Sequence, residues 1–329
     1  MGAVALVDPH GRTVRDLRIS VTDRCNLRCR YCMPAEGMDW LPRADLLTYE
    51  EIERVARVGV ERFGFDGIRI TGGEPTIRAH LPVLVEKLAA LGTDLSLTTN
   101  GATLRALAGD LRAAGLRRIN ISLDSLRPET FFTITRRSAL EQVIDGIDAA
   151  VEAGFSPVKV NCVLIRGVND DEIVDFADFG RERGVTIRFI EFMPLDADDS
   201  WSTGSVVPAV EVLAAIAAVH PLEPVDGRGS APAERFRYLD GRGEVGIIAS
   251  VTESFCGTCD RVRLTAEGMF RNCLFAVRET DLRAVLRSGG SDDDLEAAIA
   301  ADVGNKWSGH SIGQVHFIRP DRSMSQIGG

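Results

Sequence analysis

Residues 17–32 read Leu17-Arg18-Ile19-Ser20-Val21-Thr22-Asp23-Arg24-Cys25-Asn26-Leu27-Arg28-Cys29-Arg30-Tyr31-Cys32, and this stretch decides the fold. Its first five residues alternate apolar and polar, the period of a β-strand with its two faces in different surroundings. Three cysteines follow directly, separated by three and then two residues. A cysteine loop placed immediately after a first strand lies at that strand's C-terminal end, the face on which α/β barrels carry their chemistry.

Outward from this segment the same unit repeats. Strand patterns cover 17–21, 67–71, 94–98, 118–123, 158–165 and 186–192, with helical periods at 49–63, 79–91, 104–114, 139–153 and 170–183. Gly64, Gly92, Gly115, Gly154 and Gly184 stand where each helix should stop. Repeated strand–helix units predict an α/β fold with a parallel sheet and helices outside it. Six units are too few to close an eight-stranded barrel, so residues 1–225 are expected to form a partial, open parallel β/α barrel. Past Pro221 the alternation ceases. Residues 227–232 read as a loop, and 235–239 with 244–249 as a hairpin turning at Asp240-Gly241. Residues 226–329 are therefore expected to form a smaller C-terminal α+β region, in which the acidic stretch 288–294 is a solvated loop.

The chain has 329 residues, 45% hydrophobic and 26% charged, as in an ordinary globular protein, and its net charge of −10 argues against a nucleic-acid or membrane surface. An anionic substrate would need a local basic pocket. No run reaches the roughly 18 apolar residues of a membrane span. The longest candidate, 206–219, contains Pro208 and Glu211 and reads as a buried helix. Residues 1–8 lack the basic and apolar regions of a secretory signal, and Leu6 breaks the myristoylation pattern, so a cytoplasmic location is expected. Of seven cysteines, six form two tight groups, Cys25/Cys29/Cys32 and Cys256/Cys259/Cys273, which argues for metal ligation over disulfides. Cys162, in an apolar run, reads as a small buried residue.

Arg18, Arg69, Thr98, Ser122, Lys159 and Arg188 each sit on an expected strand beside apolar neighbours that face the helices. By alternation these polar side chains point into the barrel. Four cations buried together without an anion would be costly, which suggests a cavity for a polyanion. The alternative is that single members project from strand ends into water.

Three closely spaced thiolates can wrap one face of a four-iron cluster and leave one iron open; a zinc site completed by a histidine is the alternative. No histidine lies between His10 and His80. With Tyr31 as the aromatic before Cys32, the first group resembles the radical S-adenosylmethionine superfamily. The resemblance implies that the open iron of a [4Fe-4S] cluster chelates S-adenosylmethionine and that its cleavage yields a 5′-deoxyadenosyl radical. It further implies that Tyr31, Gly72, Gly73, Glu74, Ser122 and Met193 bind this cofactor. Glycines at 72 and 73 can let backbone approach a ligand closely.

Cys256 and Cys259 are followed by Cys273 after thirteen intervening residues, and His220, His310 and His316 are all distant in sequence. A second cluster with an open iron fits this set, with zinc as the alternative. Arg261 and Arg263 share one face if 260–264 is a strand, a pairing suited to phosphate. Over nearly its whole length the chain resembles the GTP 3′,8-cyclase family of molybdenum cofactor biosynthesis. The stretches that carry this are 17–25, 70–75, 97–101, 121–124, 192–194, the second cysteine motif with its arginines, and the final Ile327-Gly328-Gly329. Ala249-Ser250, Ser254 and Trp307-Ser308 depart from the family's usual residues and are expected to touch no proposed ligand.

This family resemblance implies two [4Fe-4S] clusters and S-adenosylmethionine as cofactors. It implies a reaction in which the 3′ hydrogen of GTP is abstracted and the 3′ carbon joins guanine carbon 8. By the same resemblance Arg18, Arg69, Thr98, Lys159, Arg188, Arg261 and Arg263 bind the substrate, and Arg261, Arg263, Gly328 and Gly329 have catalytic parts. An external electron donor, hand-over of product to the cyclic pyranopterin monophosphate synthase and a homodimer complete the implied partners. Two rivals remain on the residues alone: a peptide-modifying radical enzyme, which would carry a longer C-terminal cysteine set, and a two-cluster electron carrier, which would show four cysteines per cluster.

Overall fold

The structure, a computed structural model, describes residues 2–196, 200–312, 314 and 317–328. His316 and Gly329 lie outside the described residues. The chain runs β1 (Asp16–Ser20), α1 (Tyr49–Phe63), β2 (Gly67–Thr71), α2 (Leu81–Ala89), β3 (Asp94–Thr99), α3 (Ala108–Ala113) and β4 (Arg118–Ser122). It continues through α4 (Pro128–Thr135), α5 (Leu140–Glu152), β5 (Val158–Leu164), α6 (Ile173–Arg183), β6 (Thr186–Glu191) and α7 (Ala209–Ala217). The C-terminal part adds β7 (Leu222–Val225), β8 (Glu234–Tyr238), β9 (Glu244–Ile248), β10 (Arg261–Leu264), β11 (Met269–Arg271), β12 (Thr280–Asp281), α8 (Leu282–Arg287), α9 (Asp292–Val303) and α10 (Met324–Ile327).

Local chemistry accounts for these boundaries. Thr48 caps α1 through a reciprocal box with Glu51, and Gly64 ends it at φ 71°, a left-handed position that costs glycine little. On β1–β6 the outward residues Ile19, Ile70, Leu97, Ile121, Cys162 and Phe189 are at most 1% exposed and pack under the helices. The third helical pattern is shorter than expected: a 3-10 turn at Leu104–Ala106 precedes α3. The 206–219 stretch is half-covered only, because α7 buries Val212 and Ile216 while Val210 and Val219 face solvent.

One twelve-stranded sheet runs in the order β12-β11-β10-β1-β2-β3-β4-β5-β6-β9-β8-β7. The six expected strands are parallel neighbours, and the C-terminal segment adds a parallel strand at each edge, β10 beside β1 and β9 beside β6. The other neighbours of β10 and β9 are β11 and β8, both antiparallel, so the two edges do not meet and the barrel stays open. Distant sequence thus walls both sides of one cavity.

The acidic stretch is not a loop. Ser291 caps α9, Asp292, Asp293 and Asp294 form its first turn, and Asp292 pairs with Arg54 and Arg57 of α1. Carboxylates at a helix N-terminus meet the positive end of the dipole and the free amide donors.

Candidate active site

Register brings the cations together. Arg18 lies opposite Arg69 on one side and opposite Arg263 on the other, so three guanidiniums form one row across β2, β1 and β10. Neighbouring strands are only about 4.8 Å apart, so these charges repel. Arg18, Arg261 and Arg263 are all at most 9% exposed. Nε of Arg18 and of Arg263, and Nε and Nη2 of Arg261, are buried without a hydrogen-bond partner. Burial and the charges of Arg69 and Arg263 push Arg18 well below its ordinary range. Burial lowers Arg263 too, with the Cys273 and Cys259 thiols opposing. Orphaned buried donors of this kind are filled in native proteins by a ligand or ordered water.

These arginines line a cavity together with Arg69, Thr98, Arg188, Met193, Cys256, Cys259 and Cys273. Arg188 is held by Asn161 and Asn120, whose carbonyl oxygens accept from it at 2.9 and 2.7 Å. Gly246 leaves the room this requires, since a Cβ there would come within 3.0 Å of the Arg188 chain. Arg261 lies over the Phe255 ring at 4.8 Å, and its carbonyl accepts from Lys306 at 2.6 Å. Arg261 and Arg263 are therefore not an exposed pair. Lys159 departs from the expected grouping: it lines a small adjoining pocket with Arg118, Asn120 and Pro157, joined to the main cavity through Arg69. Burial and the Arg188 charge bring Lys159 down to about 8.

The first cysteine group sits on the loop after β1. Gly72 and Gly73 are needed here because the chain itself comes close: a Cβ on Gly73 would lie 2.2 Å from the Arg24 carbonyl, and one on Gly72 would lie 2.8 Å from that of Thr22. Main-chain bonds from Gly73 to Thr22 and from Glu74 to Arg24 stitch the turn to the cysteine loop. Glu74 is fully buried; it accepts from the Thr76 and Asn100 amides and the Thr76 and Thr99 hydroxyls, which turns its carboxylate inward. The Tyr31 hydroxyl donates to Asp124 at 2.5 Å. Burial raises Asp124 to about 6, against the donors Tyr31 and Val163. Ser122 ends β4 on the same face, outside the lining of the main cavity.

The tail reaches this loop. Gly328 is buried at φ 81°, and a Cβ there would meet the Thr71 methyl at 2.7 Å and Ser20 at 3.3 Å. Ser325, 1% exposed, donates to the Met38 sulfur at 3.3 Å and acts on the Cys32 thiol, lowering it against burial. The segment ending at Gly328 is thus docked between the ends of β1 and β2.

Both thiol sets suit a cluster. Burial and neighbouring negative charge raise all three thiols of the first group, Cys25 to about 11 and Cys32 to about 12. Thiols crowded together this way become thiolates only when a cationic centre binds them. In the second group burial is outweighed. His310 and Ser254 bring Cys256 to about 6, and Arg261 and Lys306 lower Cys259. Against expectation Ser254 therefore does touch a proposed ligand, its hydroxyl also accepting from the Cys256 amide at 3.4 Å. Among the described residues no three Cys, His, Asp or Glu side chains converge on a single-ion site. A tetrahedral zinc with Zn–S of about 2.3 Å needs sulfurs about 3.8 Å apart, whereas a cubane takes its thiolates on separate irons.

The structure corrects the expectation that every histidine is remote from the second cysteine group. His310, distant in sequence, is a neighbour of Cys256 and lines the cavity; His220 stays outside, bonded to Asp178. Sequence reasoning also missed Asn161, Phe255, Phe275 and Met324 in the cavity wall. Only Asn161 had a signal, the polar alternation of β5.

Residues 19–180 match the Radical SAM superfamily and 185–312 match the family described as Molybdenum Cofactor Synthesis C. A GTP 3′,8-cyclase of Streptomyces coelicolor is 49% identical, with 100% of this chain and 97% of that one covered. One from Rhodopirellula baltica is 50% identical over 99% of this chain and 92% of its own length. Among solved structures, Streptococcus suis SuiB bound to S-adenosylmethionine aligns with a TM-score of 0.59 at 15% identity, covering 84% of this chain and 67% of that one, a likeness of fold.

Proposed function

The chain belongs to the GTP 3′,8-cyclase family of radical S-adenosylmethionine enzymes, and from that premise we propose that it converts GTP to 3′,8-cyclo-7,8-dihydro-GTP, the first step of molybdenum cofactor biosynthesis. The observation that carries the reading is the buried guanidinium row that shares one cavity with all three members of the second cysteine group.

Cys25, Cys29 and Cys32 would hold one [4Fe-4S] cluster and Cys256, Cys259 and Cys273 a second. When bound, cluster and S-adenosylmethionine would supply the 5′-deoxyadenosyl radical that takes the 3′ hydrogen of GTP; the 3′ carbon would then close on guanine carbon 8, and one electron from the external donor with one proton would complete the dihydro product.

The chain's own residues position and shield. Arg18, Arg261 and Arg263 offer orphaned N–H groups to the triphosphate, with Arg69 beside them, and Lys159 extends the positive surface toward its far end. Asn120 and Asn161 fix the Arg188 fork, so little ordering remains to be done on binding. Thr98 and Met193 line the same cavity and would pack against the nucleotide. Gly72 and Gly73, with the Gly73 amide bonded to Thr22, hold the first cysteine loop against β2, at the end where S-adenosylmethionine would sit with Tyr31 and Ser122. The tail at Gly328 covers the ends of β1 and β2, which excludes water from a site where a radical must not be quenched.

Residues 1–225 would hold S-adenosylmethionine and one wall of the nucleotide cavity, and 226–329 the second cysteine group and the facing wall, with both regions meeting in one sheet. An external one-electron donor, a cytoplasmic location, hand-over of product to a synthase and a homodimer belong to the same proposal. No described helix is long and apolar enough to cross a membrane.

Anaerobic incubation of reconstituted protein with dithionite, S-adenosylmethionine and 3′-deuterated GTP tests the reaction. Deuterium should appear in 5′-deoxyadenosine, together with a nucleotide of unlabelled GTP mass but different retention. Deuterium that stays in the nucleotide while S-adenosylmethionine is cleaved would overturn the assignment.

A further inference from the structure

The strongest feature outside the substrate contacts lies behind Cys256. Segment 307–310 packs directly on that cysteine: a Cβ on Gly309 would come within 2.9 Å of the Cys256 Cβ and 3.4 Å of its sulfur. Only a glycine permits this approach, and it carries the next residue, His310, onto the sulfur. The His310 ring is fixed on its other sides, 5.2 Å from the Phe275 ring and with Nδ1 accepting from the Ile312 amide at 3.4 Å. An accepting Nδ1 leaves the hydrogen on Nε2. His310 and Cys256 line the same cavity wall, and His310 draws the Cys256 thiol below its ordinary value against burial.

A buried clamp keeps the segment in place. Arg12, bonded to Asp8 at 2.5 Å, donates to the carbonyls of Cys256 at 2.7 Å, Ser308 at 2.8 Å and Trp307 at 2.5 Å. One guanidinium thereby ties the cysteine loop to the strand of chain that presents the histidine. Nothing in substrate binding requires this arrangement, since Asp8 and Arg12 do not line the cavity.

We propose that His310 is a positioning residue of the second cysteine group, whose ring N–H donates to the Cys256 sulfur and raises the reduction potential of the cluster held there. The inference rests on the reading of that group as a cluster site. A donor to a cluster sulfur stabilises the reduced, more negative state, so hydrogen bonding tunes the potential. The carbonyl-bound Arg12 acts one shell further out, by holding the donor on target.

The test is a dithionite titration with mediators, followed by electron paramagnetic resonance, on full-length holoenzyme. A full-length Cys25→Ala, Cys29→Ala, Cys32→Ala background isolates the second cluster. His310→Phe should keep its iron and shift the midpoint potential down by about 59 mV, a tenfold change in the one-electron equilibrium. His310→Gln, which retains an N–H donor, should recover at least half of the shift. Loss of the cluster in His310→Phe with retention in His310→Gln also supports the donor role. Equal potentials in parent and His310→Phe overturn the proposal and leave the cluster reading intact, as does loss of iron from both variants, which would make the histidine a ligand or a packing element. A parent background that binds no iron overturns the premise and the proposal together.

Discussion

The Asp8–Arg12 pair allows a stability prediction worked from contacts. Its side chains are 0% and 6% exposed, and the guanidinium serves one carboxylate and three carbonyls. Arg12→Met removes the cation and leaves Asp8 with two main-chain donors, the amides of His10 and residue 12, at 2.8 and 3.0 Å. Breaking a buried pair from one side costs about 3–5 kcal/mol, because a desolvated charge is left behind. Loop carbonyls that can turn to water add little. Asp8→Leu combined with Arg12→Met leaves no orphaned charge, so the double variant should be less destabilised than the single one, by roughly 2 kcal/mol.

Acidity adds a second check. Burial raises the Asp8 carboxyl, but hydrogen bonds from Arg12 and His10 outweigh it and hold it below its ordinary value. A depressed carboxyl contributes stability above its unfolded pKa of about 3.9 and loses it as pH falls through the folded value. In Arg12→Met the lone buried carboxyl should move above its ordinary value instead. The gap between wild type and variant should therefore narrow as pH drops from 7 toward 5. Anaerobic urea unfolding followed by tryptophan fluorescence reads both effects, helped by Trp307, whose carbonyl is an Arg12 partner. A single-variant cost under about 1 kcal/mol, a double variant no better than the single, or a pH-independent gap would refute the clamp.

Replacing Cys25, Cys29 and Cys32 with alanine should abolish 5′-deoxyadenosine formation and leave about half the iron, measured by metal analysis and chromatography. Arg263→Ala should weaken GTP binding by about 2–4 kcal/mol in anaerobic calorimetry while S-adenosylmethionine binding holds, because it removes a buried member of the guanidinium row. GTP affinity should decline as pH rises through about 8, where Lys159 loses its proton, and Lys159→Met should flatten that dependence. Gly328→Val, which places a branched side chain at φ 81° with Cβ 2.7 Å from Thr71, should unseat the tail: both clusters load, yet the cyclised nucleotide is lost.

Local patterns were readable and long-range placement was not. The strand period alone put Arg18, Arg69 and Arg188 inside the barrel, because alternation depends only on immediate neighbours. That β10 would slide in beside β1 and bring Arg263 level with Arg18 depends on pairing between the two ends of the chain, for which no local residue codes. His310 escaped for the same reason: its nearness to Cys256 depends on Gly309 and on Arg12, each remote from the cysteine loop. Lys159 was assigned the right face but could not be assigned a height, and it lines the small pocket beside Pro157. At 288–294 composition misled where spacing was informative, since Ser291 and Asp294 stand three apart, as a capping box requires. At Glu74 the side chain is taken up by Thr76, Thr99 and Asn100, a use that no spacing announces.

The guanidinium row explains why this cavity needs its occupant. Among the described residues no aspartate or glutamate lines it, while Arg18, Arg69, Arg188, Arg261 and Arg263 all do. Each buried cation carries a desolvation cost, and like charges one strand apart add to it. Hydrophobic packing of the six outward strand faces must therefore hold the barrel together against its own interior charge. A triphosphate offers several acceptor oxygens on one short chain, enough to satisfy the orphaned donors of Arg18, Arg261 and Arg263 at once. Such an anion removes the repulsion and fills the donors in a single step, so substrate binding and barrel stability become linked quantities. A monophosphate reaches fewer of these donors and leaves most of the row uncompensated. The preference for a polyphosphate thus follows from the cost of the empty site as much as from the contacts in the filled one.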